Sequence, residues 1–182
     1  FRSGVFVLSI VFFYQFKSGG FSYPTWIALS SNPKDVLFFP WTLITYSFLH
    51  SGFLHLFFNM MVLNFSSRLF LTYFTQKQFL GLYLLSSIFA GLSFVCSYYF
   101  LNQTSIIVGA SGAVMAILVA TTTYQPLMEV RLLLIGNVKL WHITAVVLLL
   151  DAMQIAIDNT GGHIAHLAGA AFGFIFIKLL QN

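Results

Sequence analysis

Apolar residues run along this chain in long stretches that polar or turn-forming residues interrupt only briefly. Six stretches stand out, at approximately 4–16, 49–65, 78–100, 110–124, 140–157 and 164–180. A helix needs about 20 apolar residues to cross the hydrocarbon core of a bilayer. Runs of this length read as helices rather than strands, because an isolated strand in lipid would leave its backbone polar groups unpaired. The pattern predicts an all-α membrane protein, a bundle of six transmembrane helices forming a single domain over residues 1–182. No internal repeat, low-complexity tract or second domain interrupts it.

The segment from Lys17 to Phe48 breaks the rhythm. It is punctuated by Ser18-Gly19-Gly20, Pro24, Asn32-Pro33 and Pro40-Trp41, so it is too irregular for a helix and too long for a turn. Its Trp26, Phe38, Phe39 and Trp41 fit a loop lying at the membrane interface, where amphipathic rings collect. The remaining links read as short.

Composition sharpens the picture. Only 7% of the residues are charged and 59% are hydrophobic, against roughly 25% charged in a soluble domain. The net charge of +4 reflects a shortage of acids, with 4 Asp and Glu against 8 Lys and Arg, and no basic run supports nucleic-acid binding. Arg2, Arg68, Lys77, Arg131, Lys139 and Lys178 fall on one side of the six-span arrangement and Lys17 and Lys34 on the other. This bias places both termini in the cytoplasm. Cys96 has no partner cysteine and reads as a small buried hydrophobe. The chain opens at Phe1 rather than methionine, so the first run is expected to be trimmed, and no cleavable signal peptide is evident.

Polar residues inside apolar helices cost free energy unless they are paired, hydrated or used, which makes them the functional candidates. Three clusters qualify. Gly109-Ala110-Ser111-Gly112-Ala113 opens the fourth run: small neighbours leave a serine hydroxyl accessible, although the same residues also suit a helix-packing seam. Gly161-Gly162-His163-Ile164-Ala165-His166 leads into the sixth run, where His166, Gly169 and Gly173 share a face at spacings of three and four. A serine becomes a nucleophile when a base such as a neutral imidazole takes its proton, and spacing alone does not choose between His163 and His166. His50, His55 and Asn59 form the third cluster. His55 and Asn59 stack four residues apart, and their N–H groups could stabilise an oxyanion or simply bond neighbouring helices.

In this order, on separate apolar runs, His50/His55/Asn59, then Gly109-Ala110-Ser111-Gly112, then Gly161, Ala165, His166 and Gly169 resemble the rhomboid intramembrane serine proteases. The resemblance implies a six-helix bundle with Ser111 and His166 as a catalytic dyad, and it selects His166 over His163. It further implies an oxyanion hole of His55, Asn59 and the Ser111 backbone N–H, supported by His50, Gly109, Gly112, Gly161 and Gly169. The chain departs from the family pattern where many members have Trp-Arg and this one reads Trp41-Thr42. It also has Met115 where many bacterial members place a tyrosine that stacks on the imidazole, and no acid in 67–71. A thioether at Met115 could pack on the ring instead.

Asp151 is the single formal charge well inside a predicted span. It reads as a structural acid hydrogen-bonded within the bundle in preference to the third member of a triad, and the sequence leaves open whether it or His163 assists catalysis. His163 reads as bordering the cavity mouth, and His142 as an interface residue beside Trp141. The expected function is hydrolysis of a peptide bond in or near the transmembrane segment of single-pass membrane-protein substrates, with no metal or cofactor, in contact with membrane lipid and without nucleic acid. Family frequency favours a bacterial inner membrane. The alternatives are a proteolytically inactive relative that binds transmembrane helices, and a metal site or transporter lined by His50, His55, His163, His166 and Asp151.

Overall fold

The computed structural model describes residues 23–132, 136–154 and 160–181. In chain order its elements are β1 (Leu29–Ser30), α1 (Pro33–Phe38), α2 (Thr42–Thr45), a 3-10 turn (Tyr46–Phe48), α3 (Phe53–Phe70), α4 (Gln76–Leu101), β2 (Ile106–Ile107), α5 (Ser111–Tyr124), β3 (Glu129–Leu132), β4 (Gly136–Lys139), α6 (Leu140–Gln154) and α7 (Thr160–Gln181). Five of the six apolar runs coincide with α3 to α7. The first, 4–16, lies outside the described residues, as do the links through 155–159.

α4 and α7 are each long and apolar enough to cross a bilayer. A third span arises if the Thr42–Phe48 and Phe53–Phe70 helices, bent by 97°, are taken together, while α5 and α6 are shorter apolar helices. α4 starts at a capping box in which the Thr75 hydroxyl accepts from the Gln78 N–H and the Gln78 side chain accepts from Thr75 N–H. It ends at Asn102 in the left-handed conformation that closes a helix.

Burial is arranged around α5. Every residue from Gly112 to Thr121 is buried, and α5 packs against each of α3, α4, α6 and α7. The surrounding helices turn large apolar side chains outward, including Leu85 and Phe89 on α4, Leu149 and Met153 on α6, and Phe174 and Leu179 on α7. Their inward faces carry smaller or polar residues such as Ser86, Ser87, Gly91 and Gly169. Water would drive such an arrangement to invert, whereas acyl chains solvate it. Several buried hydroxyls are satisfied locally. Ser87 donates to the Tyr83 carbonyl at 2.8 Å and Thr121 to Ile117 at 2.8 Å, whereas the buried Ser66 hydroxyl on α3 has no partner among the described residues.

The irregular 23–48 segment is tied down at several points. β1 pairs antiparallel with β2, Leu29 opposite Ile107 and Ser30 opposite Ile106, which links it to the strand leading into α5. Leu29 and Tyr46 pack on Ala90 and Phe94 of α4, and the Tyr46 hydroxyl donates to the Ser87 carbonyl at 2.9 Å. Where an arginine could have braced the segment, Thr42 instead donates to the Phe39 carbonyl at 2.7 Å, Trp41 Nε1 to the Trp26 carbonyl at 2.7 Å and Thr45 to the Ile27 carbonyl at 2.6 Å.

One link departs from the sequence reading. Residues between α5 and α6 form a β-hairpin, β3 paired antiparallel with β4 from Glu129–Lys139 to Leu132–Gly136. The alternation Glu-Val-Arg-Leu is the period-2 signal of a half-exposed strand, but four residues of it are a weak signal among apolar stretches of thirteen and more.

Candidate active site

The site is set by how closely α5 and α7 approach. A Cβ on Gly169 would collide with the backbone carbonyl of Gly112, and one on Gly173 with the carbonyl of Ala116. On α5, a Cβ on Gly112 would come within 3.0 Å of the Ala90 Cβ and 3.2 Å of the Ala165 carbonyl oxygen. The two helices therefore meet backbone to backbone, as small residues permit in an apolar medium. At the start of α7 a side chain on Gly161 would strike the rings of Phe94 and Tyr98, so this glycine seats the helix on α4.

That contact brings Ser111, the first residue of α5, against α7. Ser111 Oγ lies 2.5 Å from His166 Nε2. The other imidazole nitrogen, Nδ1, lies 2.8 Å from Asp151 Oδ1, and His163 Nδ1 lies 2.7 Å from the same oxygen. A carboxylate oxygen accepts, so both Nδ1 atoms carry hydrogens and donate to it. In neutral His166 the Nε2 then holds a lone pair and accepts the Ser111 hydroxyl proton. Both Ser111 and His166 retain partial exposure, whereas Asp151 is buried and its Oδ2 has no partner.

Just before α3, the Ser51 backbone N–H donates to His55 Nδ1 at 3.3 Å, and the Ser51 hydroxyl stands 2.9 Å from the same atom. An acceptor Nδ1 leaves the hydrogen of the neutral ring on Nε2. His55 Nε2 and Cε1 lie 2.9 Å from where a Gly109 Cβ would be, and that Cβ position is 3.6 Å from Ser111 Oγ. Gly109 has φ of +135°, which glycine adopts readily, and its N–H donates to the Tyr46 carbonyl at 3.0 Å. The bare backbone at 109 is thus what lets an N–H of His55 sit beside the serine. Asn59 is buried and gives an amide N–H to the His55 carbonyl at 2.9 Å, with a second N–H on the same nitrogen. The His50 ring meets that of His55 edge to face at 5.2 Å, and its carbonyl accepts from the Tyr23 hydroxyl at 2.5 Å.

Residues 39–182 match the family model of the Rhomboid domain. The chain belongs to the rhomboid family. Most rhomboids are intramembrane serine proteases that act on transmembrane substrates, and the family also includes inactive members. No curated protein matches the chain.

Of the positions singled out in the sequence, the rhomboid fold here gathers Ser111, His166, His55 and Gly109 at one point, with Asn59 one turn along α3 from His55 and His50 in the segment just before that helix. Met115 is buried with Val119 and Ala170 beside Val147 and Leu148, in the seam between α5, α6 and α7. The His142 ring lies against that of Trp141, tilted by 43° with the ring centres 3.9 Å apart. Cys96 is exposed, correcting the expectation of a buried thiol: it lies on an outward face of α4. The sequence reading missed the Ser51–His55 bond and ranked an Asp151–His166 pairing below a structural acid. The Ser51–His55 bond could have been found from their spacing of four at a helix start; the Asp151–His166 bond had no such local signal. Asp151, His163 and His166 also place one donor atom each within 4.8 Å of one another, a grouping that could hold a metal ion.

Proposed function

We propose that this chain is an intramembrane serine endopeptidase that cuts a peptide bond in or near the transmembrane segment of single-pass membrane proteins. The observation that carries the reading is the Ser111 Oγ to His166 Nε2 distance of 2.5 Å, within the reach a general base requires. As Ser111 Oγ attacks the scissile carbonyl, its proton passes to His166 Nε2. The carbonyl oxygen becomes an oxyanion, toward which the His55 Nε2–H, the Asn59 amide and the Ser111 backbone N–H act as donors. His166 returns the proton to the leaving amine, and water hydrolyses the acyl-enzyme by the same steps in reverse order of partners.

In this reading the domain is a six-span bundle with both termini in the cytoplasm of a bacterial cell, water reaches the dyad from the opposite side, and substrates enter sideways between lipid and protein. α6 forms the gate. Support for α6 comes from its attachment: among its described residues only Leu140, Thr144 and Asp151 are buried, all along one face.

The test is cleavage of a labelled transmembrane substrate in detergent and in liposomes by the parent, Ser111→Ala and His166→Ala. Both variants should lose cutting by several orders of magnitude; undiminished cutting by either removes the mechanism. The Asp151, His163 and His166 grouping favours a second reading, a metal-dependent site. Activity that survives chelators and is lost to a serine-directed phosphonate excludes it, and the opposite pattern establishes it. A parent that binds but never cuts would make the chain an inactive rhomboid.

A further inference from the structure

We propose that Asp151 is a positioning residue for His166, so that the dyad of this chain works as a Ser111, His166 and Asp151 relay of hydrogen bonds whose carboxylate is shared with His163. The inference rests on the protease reading and deepens it. Three observations carry it. Asp151 Oδ1 lies 2.8 Å from His166 Nδ1, on the side of the ring opposite the 2.5 Å contact with Ser111. The same oxygen lies 2.7 Å from His163 Nδ1. Asp151 is buried on the inward face of an otherwise apolar helix, where an anion persists only if donors compensate its lost hydration.

The arrangement has a chemical consequence. A free imidazole can place its hydrogen on either nitrogen, and half of that choice is useless to a serine. An acceptor at Nδ1 holds the ring with its lone pair on Nε2 and fixes its rotation. When Ser111 forms its bond to the substrate carbonyl carbon, the hydroxyl proton moves to Nε2 and His166 becomes a cation beside the Asp151 anion. As the C–N bond breaks, that proton leaves with the amine. Asp151 stays ionised throughout and takes no proton. His163 bonds the same oxygen but is not the ring against Ser111, so it draws on the carboxylate without serving as base. The groups that face His166 are thus Asp151 on α6, His163 on α7, Ser111 on α5 and His55 on α3.

A carboxylate that merely fastened α6 to α7 would predict different numbers from one that positions a base. The experiment compares parent, Asp151→Asn, Asp151→Glu and His163→Ala of the full chain in detergent, with kcat and KM measured separately. Asparagine should lower kcat by roughly 10²–10⁴-fold with KM changed by less than about threefold. Glutamate should restore part of that loss, and His163→Ala should stay within about tenfold of the parent. A parental kcat in Asp151→Asn, or a loss confined to KM, overturns the proposal. Nitrogen-15 NMR of histidine-labelled parent, with His166→Gln to assign the ring, supplies a readout that needs no catalysis. His166 should carry hydrogen on Nδ1 and a bare Nε2 in the parent; the reverse tautomer overturns the proposal even if the parent proves unable to cut, an outcome that would separately end the protease reading.

Discussion

The backbone carbonyl of Gly112 stands where any side chain on Gly169 would have to go. Because this approach sets the separation of α5 and α7, Gly169→Ala must push the helices apart or distort one of them. Overpacking of this kind costs about 1–3 kcal/mol, and the Ser111 to His166 bond should lengthen with it. Thermal unfolding in detergent is expected to show the destabilisation, together with a loss of cleavage per folded molecule. Gly81→Ala is the control. Nothing lies within 4 Å of a Cβ there, so the substitution should leave activity intact and stabilise α4 by up to about 0.5–1 kcal/mol.

Gly109→Ala probes the other side of the serine. The added methyl meets both a φ of +135° and the His55 ring 2.9 Å away. Displacing that ring removes an oxyanion donor, so kcat should fall on the order of tens to a thousandfold. A variant with parental kcat would show that His55 gives nothing to the transition state.

Asn59→Ala should behave as a loss of transition-state binding. The expected result is a kcat lower by tens to a thousandfold with KM little changed, a smaller loss than Ser111→Ala. If Asn59 only secures α3 through the His55 carbonyl, at 2.9 Å, the melting temperature will fall while turnover per folded molecule holds.

Thr122 and Thr144 face each other across α5 and α6 with their hydroxyls 2.6 Å apart. Interhelical bonds of this kind couple by about 0.6 kcal/mol in a membrane protein. A double-mutant cycle with valine at each position, read by unfolding, should return a coupling of that size. A coupling near zero would mean that each hydroxyl is equally content with its own helix, where Thr122 also donates to Leu118 and Thr144 to Leu140.

Much of this was legible because lipid simplifies the code. In a chain so poor in polar groups, Ser111, His166, His55 and Asn59 could be picked out against an apolar background, and the Gly169 and Gly173 spacing already placed a smooth face beside His166. What escaped depends on rotation and on short elements. Whether Asp151 faces His166 or lipid is decided by the turn of α6 about its axis, and an apolar helix with only three buried positions carries little patterning to reveal it. The order of preference between a structural acid and a positioning one reverses in our reading only because the Oδ1 to Nδ1 distance is available. The choice of His166 over His163 needed either the resemblance or the geometry, since three residues of helix separate two chemically identical rings.

α5 spans 14 residues, roughly 21 Å of rise, against a hydrocarbon thickness of about 30 Å. If its far end sits at the cytoplasmic boundary, the hydroxyl at its first residue stands about 9 Å beneath the opposite one. The stubby helix would then act as a depth gauge, and a substrate would be severed a few residues inside its outer end rather than at mid-membrane. Mass spectrometry of the two product termini reads that depth directly.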